Sequence, residues 1–418
     1  MAAKAERVRK NRRVEHDSIG EIELPAHVRY GIRTERALRN LSFSGKTLGS
    51  YPQYVNALAI VKKAAARANR IAGVIDARIA NAIEKACDEV PRLHPAEFPV
   101  DVLAGGGAVA INMNLNEVIA NLANEMLGSE RGSYSPVDPK LHVNASQSTA
   151  DVCHTAARLA ILNCSKGLHR VVFACFDVTQ SSATEFRRIE TLARTCLQDA
   201  GVTTLGAMFG AHAAALERRS RELARAFAAL RKVNLGGTVI GDGNGAPAAY
   251  RRAIIDELNG LIEDRVELRE NLFDAAQNCD DLGAVAAQLG LLAEVLIKFA
   301  QDLRLLASGP EGGFGEIVLP AVVEGSSFYP GKINPVVPET LMQCCFQVLG
   351  CERAARLALE RGELNLNVFE GAAAVNLVDA IQMLTRGLAA FTSSCLAKIT
   401  VNEARCRELA ALGRKRTK

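Results

Sequence analysis

The segment Gly325–Glu339, GSSFYPGKINPVVPE, gathers more groups capable of chemistry than any other stretch of this 418-residue chain. Two serines, a lysine, an asparagine and three prolines share its fifteen positions. Gly325 and Gly331 permit a mobile loop, and Pro330 and Pro335 limit its shapes. A cation and an amide two residues apart, Lys332 and Asn334, can hold a carboxylate together. A phosphate-binding reading fails. Five residues instead of four separate Gly325 from Gly331-Lys332, and Ile333 stands where a Ser or Thr must hold magnesium. Gly241–Gly245 lacks the dinucleotide-binding spacing, no lysine follows Gly105–Gly107, and Ser326 sits in no nucleophile-elbow pattern. The chain's 11 cysteines are scattered without paired spacing, and Cys344 and Cys345 are adjacent, which suits neither a disulfide framework nor zinc. Reduced thiols point to the cytoplasm.

Such a loop needs a frame, and the frame reads as helical. From Leu282 to Leu306, apolar residues recur at Leu282, Val285, Leu289, Leu292, Leu296, Phe299, Leu303 and Leu306 in alternating steps of three and four. That seam predicts a long helix buried in a bundle. Thr203–Val233 repeats Phe209, Leu216, Leu223 and Leu230 every seven residues, and Ser148–Cys175 is Ala-rich with Val152, Leu159, Leu162 and Leu168. Shorter helices are expected at Tyr54–Arg70 and from Asp76, a plausible N-cap, to Glu89. Strand signal is weak, confined to pieces such as Glu21–Leu24 and Gly315–Leu319. Long seams of this kind bury more surface than one subunit easily covers, which favours an oligomer; the alternative is that each seam faces its own chain.

Charge is concentrated at the ends. Met1–Arg13 carries six basic residues and one acid, Gly413–Lys418 carries four basic residues, and the body between is near −5. Solvated, disordered tails are the simplest reading, and no basic patch interleaved with aromatics suggests a nucleic-acid partner. The N-terminus lacks an apolar segment after its basic residues, so no signal peptide is indicated. No uninterrupted run of 18 apolar residues occurs, Glu294 and Lys298 breaking the longest, so no membrane span is expected.

The flap segment resembles the signature GSSxMPxKxNP of the aspartase/fumarase superfamily, with Tyr329 in place of Met, and is most similar to the aspartate ammonia-lyase branch. Other matches follow in order: His16-Asp17 with Gly31–Ala37, Gly105–Asn116 (GGGAVAINMNLN), His142–Thr149, Ala193–Ala200, Asn234–Thr238 and Leu306–Pro310. The likeness spans roughly residues 13–408. It implies an all-α fold: after a basic tail at 1–13, an N-terminal helical domain at 14–140, a central bundle at 141–390 carrying the 325–339 loop, and a C-terminal region at 391–418. Members usually run several tens of residues past the point matching Leu412, so the C-terminal domain is expected to be truncated. The resemblance further implies a homotetramer whose active sites each draw on three subunits.

It also implies a reaction that uses no metal and no organic cofactor: anti elimination from a 2-substituted succinate, giving fumarate through an enediolate. Such chemistry needs a desolvated base and donors aimed at the developing charge. By position Ser326 matches the base. Ser148, Thr149 and Ser327 match donors to the carboxylate beside the abstracted proton; Thr195, Lys332 and Asn334 match the clamp on the other carboxylate. The leaving-group pocket differs. Where an aspartase holds its ammonium with Thr, Asn and Gln or His, this chain has Val109, Ala150 and Cys196. A buried ammonium deprived of such partners loses roughly 1–3 kcal/mol per group. A leaving group bulkier or less cationic than ammonia is therefore expected. Two alternatives stand beside it: an aspartate ammonia-lyase with a remodelled pocket, and a non-catalytic scaffold.

Overall fold

The alternating seam at 282–306 folds as anticipated. All eight of its apolar residues lie within a helix, Asp280–Leu306, and none exposes more than 4% of its surface. The computed structural model of the chain describes residues 12–416. Most of the basic N-terminal tail and the last two residues fall outside that range. In chain order the main elements are β1 (Arg12–Asp17), β2 (Gly20–Pro25), α1 (Ile32–Leu41), α2 (Pro52–Ile71), α3 (Ala77–Glu89), α4 (Val109–Met126), α5 (Thr149–Glu185), β3 (Glu190–Thr195), β4 (Gln198–Thr204), α6 (Leu205–Ala229), α7 (Ala248–Asn259), α8 (Leu272–Gln277), α9 (Asp280–Leu306), α10 (Val336–Leu359), α11 (Glu370–Ser394) and α12 (Glu403–Arg416). The expected all-α fold is present; among the described residues the strands are short and form two-stranded pairs.

Two compact units divide the described residues, the first comprising those up to 163 with 229–283 and 354–375, the second 164–228, 284–353 and those from 376 onward. In the first, α2 packs on α3 and α7, and α3 packs on α4. Helix α3 begins where the sequence placed it: the Asp76 side chain accepts from the Ile79 N–H, satisfying an otherwise orphaned donor. Helix α4 carries an unusual load. Asn112, Asn114, Asn116, Glu117, Asn121 and Asn124 are all buried on it. Several of these side chains hold loops: Asn121 donates to the Arg29 carbonyl at 2.7 Å, and Asn124 both donates to and accepts from the Val137 backbone. Glu117 accepts from the Gly31, Arg33 and Thr34 N–H groups and the Thr34 hydroxyl, fixing the start of α1.

In the second unit, aromatic edges bind three long helices. Phe299 of α9 meets Phe209 of α6 at 6.1 Å and Phe391 of α11 at 5.8 Å between ring centroids, and His212 stacks on Phe299 at 4.3 Å. Phe209, Leu216, Leu223 and Leu230 are buried as their seven-residue spacing predicts. Helices α5 and α9 are long and apolar enough to cross a membrane by composition alone. Core helices pass the same test, and the seam residues of α9 are covered by protein here.

Three expectations need correction. Arg12 and Arg13 do not belong to a disordered tail. They open β1, where Arg13 donates to Glu15 and to the Val28 and Tyr30 carbonyls at 2.6–2.7 Å. A guanidinium with that many acceptors is a bolt for the strand pair, not a solvated charge. Nor are residues 413–416 a loose end: they continue α12, where Arg414 pairs with Glu190. The helix expected at 148–175 runs ten residues further, to Glu185. The segment expected to start a helix at Thr203 instead closes a hairpin, because Thr203 and Thr204 pair with Thr191 and Glu190.

Candidate active site

The sequence-selected residues fall into two groups, one in each unit. In the first unit, Ser148 caps α5. Its hydroxyl accepts from the Ala150 N–H at 3.2 Å, and Asp151 reaches back to the Ser148 N–H at 2.9 Å, a reciprocal cap written in the sequence as Ser-x-x-Asp. Asp151 also accepts from the Gly236 and Thr238 N–H groups, so the Asn234–Thr238 turn is tied to the same corner. Burial pushes the Asp151 carboxyl up to about 6, against the pull of those three donors. Ser148 and Thr149 thus stand at the N-terminal, partially positive end of a 37-residue helix, a position that suits a carboxylate. Ala150 is buried beside them, and Val109, at the start of α4, is 49% exposed.

Behind Thr149 lies a buried polar cluster. Asn112 donates to the Thr149 Oγ1 at 2.9 Å and to the Asn144 Oδ1 at 3.0 Å. The same Asn144 oxygen accepts from Asn116 at 3.1 Å and from the Lys62 ammonium at 2.9 Å. Lys62 is fully buried, and burial pushes its pKa down to about 7. His142 makes a turn contact, accepting from the Asp138 N–H through Nδ1 at 2.9 Å.

In the second unit, the flap is held at its base. The Asn334 amide donates to the Gly325 carbonyl, and a side chain at Gly325 would overlap the Lys332 carbonyl, its Cβ falling 2.0 Å away. Glycine is required there by close approach, not by φ. Above this clip, the Ser326 Oγ accepts from the Phe328 N–H at 3.1 Å and the Tyr329 N–H at 2.8 Å. Phe328 is 80% exposed, and Ser327 and Lys332 are exposed as well. A groove of about 700 Å³ runs beside Lys332 and Asn334 and is also lined by Pro310, Ile317, Lys398 and Asn402.

Thr195 and Cys196 sit on the β3–β4 hairpin, a segment that carries no strand signal in the sequence. Thr195 pairs with Gln198, leaving a two-residue turn of Cys196 and Leu197 with φ of 50° and 57°. Positive φ at both central residues is what a tight hairpin demands, normally met by Asn-Gly or Gly-Gly. Cys-Leu carries no such signature, so the turn is invisible to pattern. Thr195, Cys196 and Leu197 are exposed at the tip. The hairpin's strands are anchored through Arg194 and Thr191, both bonded to the buried Glu316.

The family model described as "Lyase" matches residues 20–350. Aspartate ammonia-lyase from Helicobacter pylori strain J99 is 40% identical over 397 residues, 95% of this chain and 85% of that protein. The enzyme of the same name from Pseudomonas fluorescens is 41% identical, over 95% of this chain and 84% of its own length. A solved fumarate lyase:delta crystallin from Brucella melitensis, bound to cobalt, superposes with a TM-score of 0.92 at 41% identity, covering 95% of this chain and 86% of that one. A class II fumarase from Schistosoma mansoni gives 0.91 at 29% identity, over 95% of this chain and 87% of that one. The chain belongs to the aspartase/fumarase superfamily. It is a lyase of that type.

This lyase also contains a buried ionic network that its sequence did not reveal. Arg158 grips Asp281 through Nε and Nη2 at 2.7 and 2.9 Å and Glu370 through Nη1 at 2.7 Å, while the His154 Nε2 lies 3.0 Å from the other Glu370 oxygen. Burial opposes charge on Arg158, but the two carboxylates outweigh it and hold its pKa well above the usual value. His154, Cys279 and Glu370 are the described residues whose metal-ligand-type atoms cluster, within 4.8 Å of one another. Glu370 is already committed to Arg158 and His154, so the group reads as a polar tie between helix starts. Residues far apart in sequence form it, which is why no local motif announced it. The Asn112–Asn144 cluster was more legible in principle: Asn112 and Asn116, four apart on a helix that also carries Asn114, Glu117, Asn121 and Asn124, mark a polar stripe.

Proposed function

We propose that this lyase removes the substituent from a 2-substituted succinate by anti elimination, releasing fumarate, with Ser326 as the base. The observation that carries the reading is the pair of backbone N–H groups, from Phe328 and Tyr329, aimed at the Ser326 Oγ. A serine hydroxyl is ordinarily far too weak an acid to lose its proton near neutral pH. Donors pointing at its oxygen favour the ionised form, and closure of the flap over substrate strengthens them by excluding water. Ser148, Thr149 and Ser327 receive the carboxylate whose charge grows in the enediolate. Thr195, Lys332 and Asn334 hold the other, with Asn334 exchanging its hold on Gly325 as the flap closes.

The leaving group in this reading is bulkier or less cationic than ammonia, because Val109, Ala150 and Cys196 stand at the three sequence positions where an aspartase supplies polar partners to its ammonium. The test is incubation with fumarate and a panel of ammonia, substituted amines, nitrite and thiols, with adducts read by mass spectrometry. Preference for a donor other than ammonia is expected. Efficient deamination of plain aspartate with no better partner would refute the altered leaving group. It would instead establish the second reading, aspartate ammonia-lyase, which the names of the relatives favour.

A homotetramer completes the proposal. Phe173 on α5, Leu291 on α9 and Phe346 on α10 expose 64%, 38% and 49% of their surface, apolar area that a second copy would cover. Sedimentation velocity is expected to give a tetramer; a monomer at assay concentrations would overturn this part.

A further inference from the structure

We infer that Asn112 is a positioning residue for the elimination, fixing the Thr149 hydroxyl as a donor directed at the substrate carboxylate. The inference rests on the reaction proposed above.

Asn144 sets the orientation of the whole cluster. Its Oδ1 receives Lys62, Asn112 and Asn116, and its own Nδ2 donates to the Gln147 carbonyl at 3.1 Å. Turning that amide over would set an NH₂ group against three donors. Asn112 is fixed in consequence: reversed, its carbonyl would face the carbonyl of Asn144. With both of its protons assigned, one to Asn144 and one to Thr149, Asn112 presents a donor to the Thr149 Oγ1. A threonine hydroxyl has one proton to give. Since its oxygen already accepts from Asn112, that proton is left to point elsewhere, and among the described residues no acceptor for it is present. The buried, partnerless Asn112 Oδ1 and Asn116 Oδ1 fit the same account: orientation of the amides is kept at the cost of two unsatisfied carbonyls. Thr149 stands at the N-terminal end of α5, where a carboxylate is favoured. A hydroxyl held as donor in advance loses no reorganisation energy when negative charge builds on that carboxylate.

Two measurements decide it. In a double-mutant cycle, Asn112→Ala is expected to lower kcat/KM by roughly 10- to 100-fold, the range for one charge-assisted hydrogen bond, with the loss falling on kcat more than KM. In the Thr149→Val background the same substitution is expected to change the residual rate less than about twofold. Equal losses in both backgrounds would mean that Asn112 acts structurally and not through Thr149. Neutron diffraction from perdeuterated crystals reads the proton directly and needs no variant. The Thr149 deuteron is expected to point away from Asn112; one directed at the Asn112 side chain overturns the inference. Absence of fumarate chemistry in the parent protein would sink the reaction proposed above, and the neutron map would still settle the hydroxyl's direction.

Discussion

Ser326→Ala is expected to reduce fumarate formation by about 10²- to 10⁴-fold, the usual worth of a positioned acid–base group. The loss should appear in kcat, because the hydroxyl contributes little to holding the ground-state substrate. Stability should hardly change. Ser326 is only part-buried, and its two hydrogen bonds lie within the flap. Ultraviolet absorbance of fumarate measures the rate, and circular dichroism with sedimentation confirms the fold. Retention of turnover within about threefold would remove Ser326 from the role of base. A scaffold without catalysis makes a different forecast: no turnover in the parent, and a phenotype untouched by the substitution.

The second large effect concerns stability. Arg158→Ala is expected to destabilise the first unit by about 3–5 kcal/mol, because it leaves Asp281 and Glu370 buried with no cation between them. Asp281 lies at the start of α9 and Glu370 begins α11, so both helix starts lose their tie to α5. Arg158→Lys should recover only part of the loss, since an ammonium cannot grip Asp281 through two nitrogens while reaching Glu370. Urea melts compare the three proteins. A shift below about 1 kcal/mol for Arg158→Ala would show that water or His154 neutralises the carboxylates instead.

Much of the scaffold was legible because it rests on local rules. The alternating apolar steps of α9, the seven-residue spacing in α6 and the Asp76 cap each depend on residues within one helix, and each has the predicted burial or bond. The flap was legible for a different reason: its glycines, prolines and polar groups are adjacent in sequence. What escaped was assembled from afar. The β3–β4 hairpin turns on Cys196-Leu197, residues with no turn preference, and is held by Glu316, more than a hundred positions away. The Arg158 network joins three distant segments. Helix α4 lay between these cases, since its asparagines were visible but their partners were not.

The Cys196-Leu197 turn has an implication for how this enzyme diverges. Left-handed backbone at two residues with full side chains costs about 1–2 kcal/mol apiece relative to glycine, so a chain under selection for robustness alone would discard them. The strands beneath are clasped at Glu316 and by α12, where Arg414 pairs with Glu190. Residues can therefore be exchanged at the tip without rebuilding the interior. Under the proposed reaction, in which Cys196 borders the leaving group, single substitutions at that position would shift substrate preference while the rest of the unit stays in place.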